Sequence, residues 1–580
     1  MSHIARSLRL RTGARKSAII PLHHSSIAHA SAWSRPAVAL WHRAYSTPSK
    51  TNDPSAADIS EAGAAATWYT DRLQQLNQAG FTAYPRYQPP VPELHSTVVP
   101  VRDLISKYQD TLDSGAKDES QKVTINGRIH TKRDSSSKLV WFDVVQDGHP
   151  IQAVFSRRMY SGSDEEYARL AKHLHRGDHI QLTGYIGKTK TGQLSVFVTD
   201  ALQLLSPCLH PLPTKSGLRD PEKRFRSRHL DLLINPEGVE KLRKRSEVIR
   251  FIRKFFDDRH FLEVETPILS TQAGGANAKP FATHANALGL DMQMRVAPEL
   301  YLKQLVIGGM DRVYEMGKQF RNEGIDADHN PEFTTCEFYQ AYATLEDLFS
   351  TTEDMLEGMA KAVCGSTTIQ HEMDDKQVEV SFQKPFRRIN IMETLEEKLG
   401  EPFPDLNNEP IQQLLSLCKK HHVYVSAPHT VPRIMDKLIS QFIEPECIQP
   451  TFLWGHPLIM SPLAKDIQLP SGRVVAGRFE LFVVGKEIVN AYEELNDPVQ
   501  QRERFTKQQQ DKDSGDEEAQ PMDLSFCGAL EYGLPPTAGW GMGVDRVCQI
   551  LTGSHHIRDV LAFPTMRPLP KQTSPESNVQ

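Results

Sequence analysis

Two short stretches, Arg321–Asn322–Glu323 and Pro331–Glu332–Phe333–Thr334, set one arginine, two carboxylates and one aromatic ring around a polar loop. Side chains two apart on a strand share a face. On an incoming strand Gln319, Arg321 and Glu323 therefore point together, and on a returning one Phe333, Thr335, Glu337 and Tyr339 do so. The loop Gly324 to Asn330 lets the two strands pair. A guanidinium then faces a ring and carboxylates across one sheet, an arrangement suited to stacking adenine on Phe333 and placing Arg321 on a phosphate. Far downstream, Gly539–Trp540–Gly541–Met542–Gly543–Val544–Asp545–Arg546 has glycines where a strand passes close to a ligand before a helix begins. It is not a dinucleotide fingerprint, because its last position is Arg546, a cation able to cover adenine or a terminal phosphate.

A third cluster runs from Glu480 to Glu494. A tight turn at Gly485–Lys486 would pair 484 with 487 and 480 with 491. Glu480 and Glu487 then share a face and can hold Mg²⁺ together with ATP phosphates, since hard cations prefer carboxylate oxygen. Asn490, Tyr492 and Glu494 also share a face, but of opposite parity to Glu487. All five line one pocket only if a bulge or another turn re-aims some of them.

These clusters resemble motifs 2 and 3 of the class II aminoacyl-tRNA synthetases, with motif 1 at Phe261–Leu262–Glu263–Val264–Glu265–Thr266–Pro267. The resemblance extends over roughly residues 64–567 to the lysyl-tRNA synthetases, through Arg295–Val296–Ala297–Pro298–Glu299–Leu300–Tyr301, Gly324–Ile325–Asp326 and Leu534–Pro535–Pro536–Thr537–Ala538–Gly539. It implies an α+β fold, an antiparallel-sheet catalytic domain behind an OB-fold barrel, and a homodimer formed about motif 1. By the same resemblance Glu299, Glu337 and Glu494 would surround the two ammonium groups of L-lysine, with Tyr339, Asn490 and Tyr492 shaping the pocket. Tyr339 and Glu494 would lie nearest the ε-ammonium. Gly275 would contribute backbone, and Arg321 would bridge the lysine carboxylate and the α-phosphate. Glu323, His329, Phe333 and Arg546 would hold ATP, and Glu480 with Glu487 the Mg²⁺. A carboxylate-lined pocket agrees with a cationic side chain, because a buried ammonium is tolerated only when paired.

Ahead of this, residues 121–208 read as five short β-prone runs with one helix, Glu165 to His175, between the third and fourth. That is the OB-fold pattern, a single-strand nucleic-acid binder. The family reads a central anticodon uridine of tRNA(Lys) with an aromatic ring and a glutamine eleven residues later, and Trp141 and Gln152 occupy those positions. Trp141 replaces the usual Phe, and Gln193 stands where the family usually carries Glu. Gly187–Lys188–Thr189 imitates the end of a P-loop but lacks its upstream glycine, residue 182 being Leu.

Residues 1–52 contain no Asp or Glu and carry eight Lys or Arg among Ser, Ala and His. Such composition is that of a mitochondrial transit peptide, and Arg43–Ala44–Tyr45–Ser46 resembles a matrix-protease site; a basic arm touching RNA is the alternative. The expected organisation is a transit peptide over 1–45, a linker with a helix at Trp68 to Ala79 over 46–120, the OB domain over 121–208, a catalytic domain over 219–567 with an insertion near 395–450, and a disordered tail over 568–580. The expected location is the mitochondrial matrix, with an additional cytosolic form from another start left open.

The whole chain carries a net charge of −5, so any nucleic-acid surface is a local patch. Its seven cysteines form no C-x-x-C pair, which argues for reduced thiols and against structural zinc. No apolar run reaches a membrane span, so no membrane partner is expected. Two other functions compete with lysine activation: a class II enzyme for aspartate or asparagine, and an inactive RNA-binding paralogue. An aspartate pocket would want a cation at the side-chain end, and a dead site has no need of Arg321, Arg546, Glu480 and Glu487.

Overall fold

A computed structural model describes residues 68–89, 96–213, 218–272, 274–373, 376–408, 410–513 and 522–569. The expected transit peptide, its cleavage site, the start of the linker and the tail from residue 570 lie outside the described residues. The chain divides into two units, residues 1–80 with 570–580, and residues 81–569. In the first, residues 68–78 form a helix that stops at Gly80, whose φ of 71° is the left-handed conformation that ends helices. Among the described residues no helix is long and apolar enough to cross a membrane.

The second unit begins with a barrel. Its strands are β1 (Ser96–Val98), β2 (Lys117–Ser136), β3 (Leu139–Gln146), β4 (His149–Ser156), β5 (His179–Lys188) and β6 (Leu194–Ser206). They run in the order β1-β2-β3-β4-β6-β5, and pairing of β2 with β5 closes the sheet. Helix α1 (Asp164–His173) lies between β4 and β5, and Ser163 caps it by accepting from the Glu166 N–H. Val140, Phe142 and Val144 of β3 are buried, while Trp141 and Asp143 between them lie toward solvent, the period-2 alternation of a one-faced strand.

Helix α2 (Pro236–Asp257) leads from the barrel into an eight-stranded sheet. The elements that build this sheet are β7 (Leu262–Glu263), α3 (Glu299–Ile307), β8 (Arg312–Phe320), β9 (Glu332–Ala341), α4 (Leu345–Cys364), β10 (Arg387–Asn390), β11 (Thr451–Trp454), β12 (Arg478–Val483), β13 (Lys486–Glu493), α5 (Leu524–Leu530), β14 (Thr537–Gly543) and α6 (Val544–Leu551). Strand order is β10-β11-β12-β13-β14-β9-β8-β7. The six central strands are antiparallel, and each edge strand is parallel to its neighbour. One face carries α2, α4 and α6 over a core that includes Phe256, Phe338, Phe349, Phe479 and Trp540. A capping box of Thr344 and Asp347 starts α4, and Gly365 at φ 73° ends it. Three helices, Ile391–Leu399, Ile411–Lys420 and Val431–Phe442, make a satellite core between β10 and β11, in the stretch read as an insertion.

The hairpin of β12 and β13 departs from its expected register. Val483 pairs with Lys486, so the turn is Val484–Gly485, with φ of 48° and 70°, and not Gly485–Lys486. Positive φ at both central residues is the turn that matches strand twist. Glu480 consequently pairs with Asn490, not with residue 491, and a bulge at Ile488 shifts the register between the turn and that pair. The extra residue reverses the parity of Glu487 relative to Asn490 and Tyr492, so all three line a common cavity.

Candidate active site

On the face of the sheet opposite the core, β14 carries no side chain from Gly539 to Gly543. Gly539, Gly541 and Gly543 lie directly across from Tyr339, Glu337 and Thr335 of β9. On the other side Gly539 and Gly541 face Tyr492 and Asn490 of β13. The intervening Trp540 and Met542 point into the core, where the Trp540 indole donates to Thr352 Oγ1 at 2.9 Å. Alternating glycine with large residues thus builds a main-chain floor on one face and fills a core on the other. A Cβ at Gly541 would stand 3.4 Å from Glu337 Cγ, and one at Gly539 would collide with Glu494 and come within 2.6 Å of the Tyr339 ring.

Above this floor lies a cavity of about 290 Å³. Of the residues expected to hold lysine or ATP, Gly275, Glu299, Arg321, Glu323, His329, Phe333, Glu337, Tyr339, Asn490, Tyr492 and Arg546 line it, and Glu487 joins them. Glu480 lines an adjoining cavity that shares Glu299, Arg321, Glu487, Asn490 and Tyr492. Gly275 has φ 89°, and a Cβ there would lie 3.0 Å from Glu299 Cβ, so both conformation and space call for glycine. Glu494 differs from the rest: it is fully buried behind the cavity wall, beside Tyr339 and Gly539, rather than lining the cavity.

Arg321 lies one residue beyond the end of β8, with its guanidinium 5.1 Å from the Phe333 ring centroid. Its Nε is buried and has no hydrogen-bond partner. Gln319 does not share the cavity; it is buried in the sheet and donates to Thr335 Oγ1 at 3.0 Å. Thr335 in turn donates to Glu337 Oε1 at 3.3 Å. Burial, together with nearby Glu299, pushes Glu337 up to about 8, against the pull of Arg321.

At the other end of the cavity Arg546 donates to the Glu487 carbonyl at 2.7 Å and to His329 Nε2 at 2.8 Å. Asp326 holds His329 Nδ1 at 2.9 Å and accepts the backbone N–H of Asp328 and His329. Asp328 ties the same loop to β13 through Lys486 and to α6 through Gln549. Burial pushes against ionisation of Glu480, yet Arg478 and His456 hold it down at about 2. Glu487 is pushed up, by burial and by the negative charge of Glu480. An ionised Glu480 that raises its neighbour Glu487 makes a donor pair whose negative charge a divalent cation would relieve, although no group of three such ligands occurs among the described residues.

Several residues at the site were not foreseen. Arg478 donates to Asn490 Oδ1 at 2.9 Å and also contacts Glu480, and it stands two residues before Glu480 on the same strand face. Asp545 accepts the Thr334 N–H at 2.9 Å and pairs with Arg245, which locks α6 to β9. Lys303 is wholly buried against Glu299 and Glu494. Its signal was visible as a lone cation in the apolar run Leu300–Tyr301–Leu302–Lys303–Gln304–Leu305–Val306.

On the barrel, Trp141 pairs with Val154 and Asp143 with Gln152, which places Trp141 and Gln152 diagonally on one half-buried face. Asp143 there is paired with Arg133 at 3.1 Å. Ser195 donates to Gln152 Oε1 at 3.1 Å.

Residues 220–567 match the family model for class II tRNA synthetases (D, K and N), and residues 123–204 match the OB-fold nucleic acid binding domain. A lysine–tRNA ligase of Cladosporium cladosporioides is 44% identical over 537 residues, covering 90% of this chain and 89% of its own. A probable cytoplasmic lysine–tRNA ligase of Encephalitozoon cuniculi is 49% identical over 76% of this chain and 87% of its own. The lysine–tRNA ligase of Bacillus subtilis is 42% identical over 80% of this chain and 91% of its own.

Proposed function

We propose, from the premise that the chain belongs to the class II tRNA synthetases and within them to the lysine–tRNA ligases, that it joins L-lysine to ATP as lysyl-adenylate and passes the lysyl group to tRNA(Lys) in mitochondria. The observation that carries the chemistry is the glycine floor, over which the carboxylate end and the arginine–aromatic end of one cavity meet. The lysine carboxylate attacks the α-phosphorus and pyrophosphate leaves, so no covalent enzyme intermediate is needed. Arg321 touches both halves: it opposes the upward push of burial on Glu337 at the amino-acid end, lies over Phe333 at the nucleotide end, and has a free Nε for the oxygen that gains charge. His329 and Phe333 hold adenine, and Arg546 the nucleotide. Glu480 and Glu487 would hold Mg²⁺, which when bound offsets the negative charge of the phosphates. Three carboxylates about the amino-acid end disfavour an aspartate or asparagine substrate.

The test is ATP–pyrophosphate exchange measured with each of the twenty amino acids in turn. Lysine alone should support it; exchange with aspartate, or with none, overturns the reading.

For tRNA, Trp141 stacks on the central anticodon base and Gln152 bonds its edge. The enzyme acts as a homodimer about β7, where Leu262, Ile268 and Leu269 leave an apolar surface exposed beside an edge strand. Sedimentation should return twice the chain mass of 65.4 kDa, and a monomer would remove this part. Import rests on the acid-free composition of residues 1–52. Residues 1–50 fused to a fluorescent reporter should enter mitochondria in a potential-dependent way, and a diffuse cytosolic signal would return the segment to a basic arm.

A further inference from the structure

Lys303 is 0% exposed, on α3, in a cluster of Leu300, Leu302, Val306, Tyr339 and Phe526. A buried ammonium is costly unless it is paired. Its Nζ lies 2.7 Å from Glu299 Oε1 on its own helix and contacts Oε2 of Glu494, one residue past the end of β13. The rings of Tyr492 and Phe526 stand 5.6 and 5.7 Å from the ammonium. The Tyr492 hydroxyl donates to the same Glu299 oxygen at 2.6 Å. Glu494 Oε1 is buried without a hydrogen-bond partner, on the side facing the glycine floor and Tyr339. A cation already inside the protein therefore occupies one side of each of two carboxylates, of which Glu299 lines the cavity and Glu494 stands behind its wall with Oε1 against Gly539.

Around the amino-acid end three carboxylates, Glu299, Glu337 and Glu494, face two cations, Lys303 and Arg321. Of the other charges nearby, Glu480 is paired with Arg478 and Glu487 with Arg546, and Glu323 is exposed to solvent. We propose that Lys303 is a built-in counter-ion that leaves this pocket short of one positive charge, and so matches it to an amino acid of net charge +1. It is a specificity-determining residue that acts through Glu299 and Glu494 without touching substrate. This deepens, and rests on, the lysine reading above. Burial favours loss of the Lys303 proton, but Glu299 and Glu494 more than offset it and keep the ammonium charged. In the empty pocket the shortfall is met by a proton: Glu337 and Glu494 are both pushed up by burial. Lysine replaces that proton with an ammonium. Without Lys303 a second proton would have to settle between Glu299 and Glu494, and lysine would have to displace that one too.

Lys303→Met keeps the length of the side chain and removes the charge, and Lys303→Gln also keeps a polar tip. The purified full-length enzymes would be compared in lysine-dependent exchange and by titration calorimetry with L-lysine in buffers of different ionisation enthalpy. Both variants should raise the lysine KM by about tenfold or more at pH 7, with the ATP KM unchanged. Each should release about one more proton per lysine bound than wild type. Their lysine KM should recover toward wild type as pH rises from about 7 to 9, because the extra proton leaves. An unchanged lysine KM overturns the proposal, as does a raised KM with an unaltered proton count and a flat pH profile. Failure of both variants to fold would do the same, assigning Lys303 to the core alone. Wild type that exchanges with another amino acid sinks the lysine reading; wild type that exchanges with lysine while the variants behave normally sinks this inference only.

Discussion

Arg546 Nη2 and His329 Nε2 meet at 2.8 Å, joining the helix after β14 to the loop between β8 and β9. A guanidinium can only donate, so Nε2 must accept, and the neutral ring then carries its proton on Nδ1, where Asp326 receives it at 2.9 Å. Despite the cost of burial, Asp326 lies below the usual carboxylate range, because the Asp328 and His329 N–H groups and the imidazole bond to it. The carboxylate thus fixes the tautomer that fixes the arginine.

Asp326→Asn should loosen that arginine. The ATP KM in pyrophosphate exchange should rise about fivefold, the equivalent of one hydrogen bond of ~1 kcal/mol, while the lysine KM stays put. Equal increases for both substrates would show that the loop is disordered as a whole.

Glu494→Gln removes the buried carboxylate whose Oε1 has no partner. Lysine affinity, read by equilibrium binding, should fall about 10–150-fold, the range for a charge-assisted hydrogen bond of ~1.5–3 kcal/mol, with ATP binding little changed. Affinity within about twofold of wild type would remove Glu494 from the ε-ammonium.

Lysine binding should depend on pH through Glu337. Its carboxyl is pushed up to about 8, so below that pH it holds a proton that an incoming ammonium must displace. The lysine KM should therefore climb as pH falls below 8 and level off above it. Glu337→Gln should give a weaker but flatter profile over the same range; a wild-type KM unaffected between pH 6 and 8.5 would contradict the assignment.

Trp141→Ala should lower aminoacylation of tRNA by ~1–3 kcal/mol, the worth of one stacked base, and leave lysine-dependent exchange intact. Parallel loss in both assays would mark Trp141 as a packing residue of the barrel.

Much of this site was legible in residue order because strand alternation is a short-range rule. Gly539–Trp540–Gly541–Met542–Gly543 announces one bare face and one filled face, and Phe333 to Tyr339 follow the same period. The barrel was legible for the same reason, through buried Val140, Phe142 and Val144 around an outward Trp141. The β12–β13 hairpin was not. Its turn sets Val484 at φ 48°, a conformation β-branched residues rarely adopt, so residue preferences point to the neighbouring Gly485–Lys486 instead. The bulge at Ile488 is equally silent, because a one-residue insertion in a strand leaves no mark in the alternation on either side of it. Lys303 was missed because a Glu and a Lys four apart on a helix are usually a solvent-exposed pair. The packing of α3 against β9 and α5 makes that pair internal.

The bare floor also limits how this scaffold could be retooled. Main-chain amides cannot be exchanged by substitution, so a new amino-acid preference cannot be written into β14 except by intruding on the ligand's space. It has to be written on the surrounding elements, in Glu337 and Tyr339 on one flanking strand, Asn490 and Tyr492 on the other, and Glu299 with Lys303 on α3. The two flanking walls hang from separate strands across a shared immobile base, so one can be altered while the other keeps its place. Selectivity here is divisible, and a two-step path to another substrate has a usable midpoint.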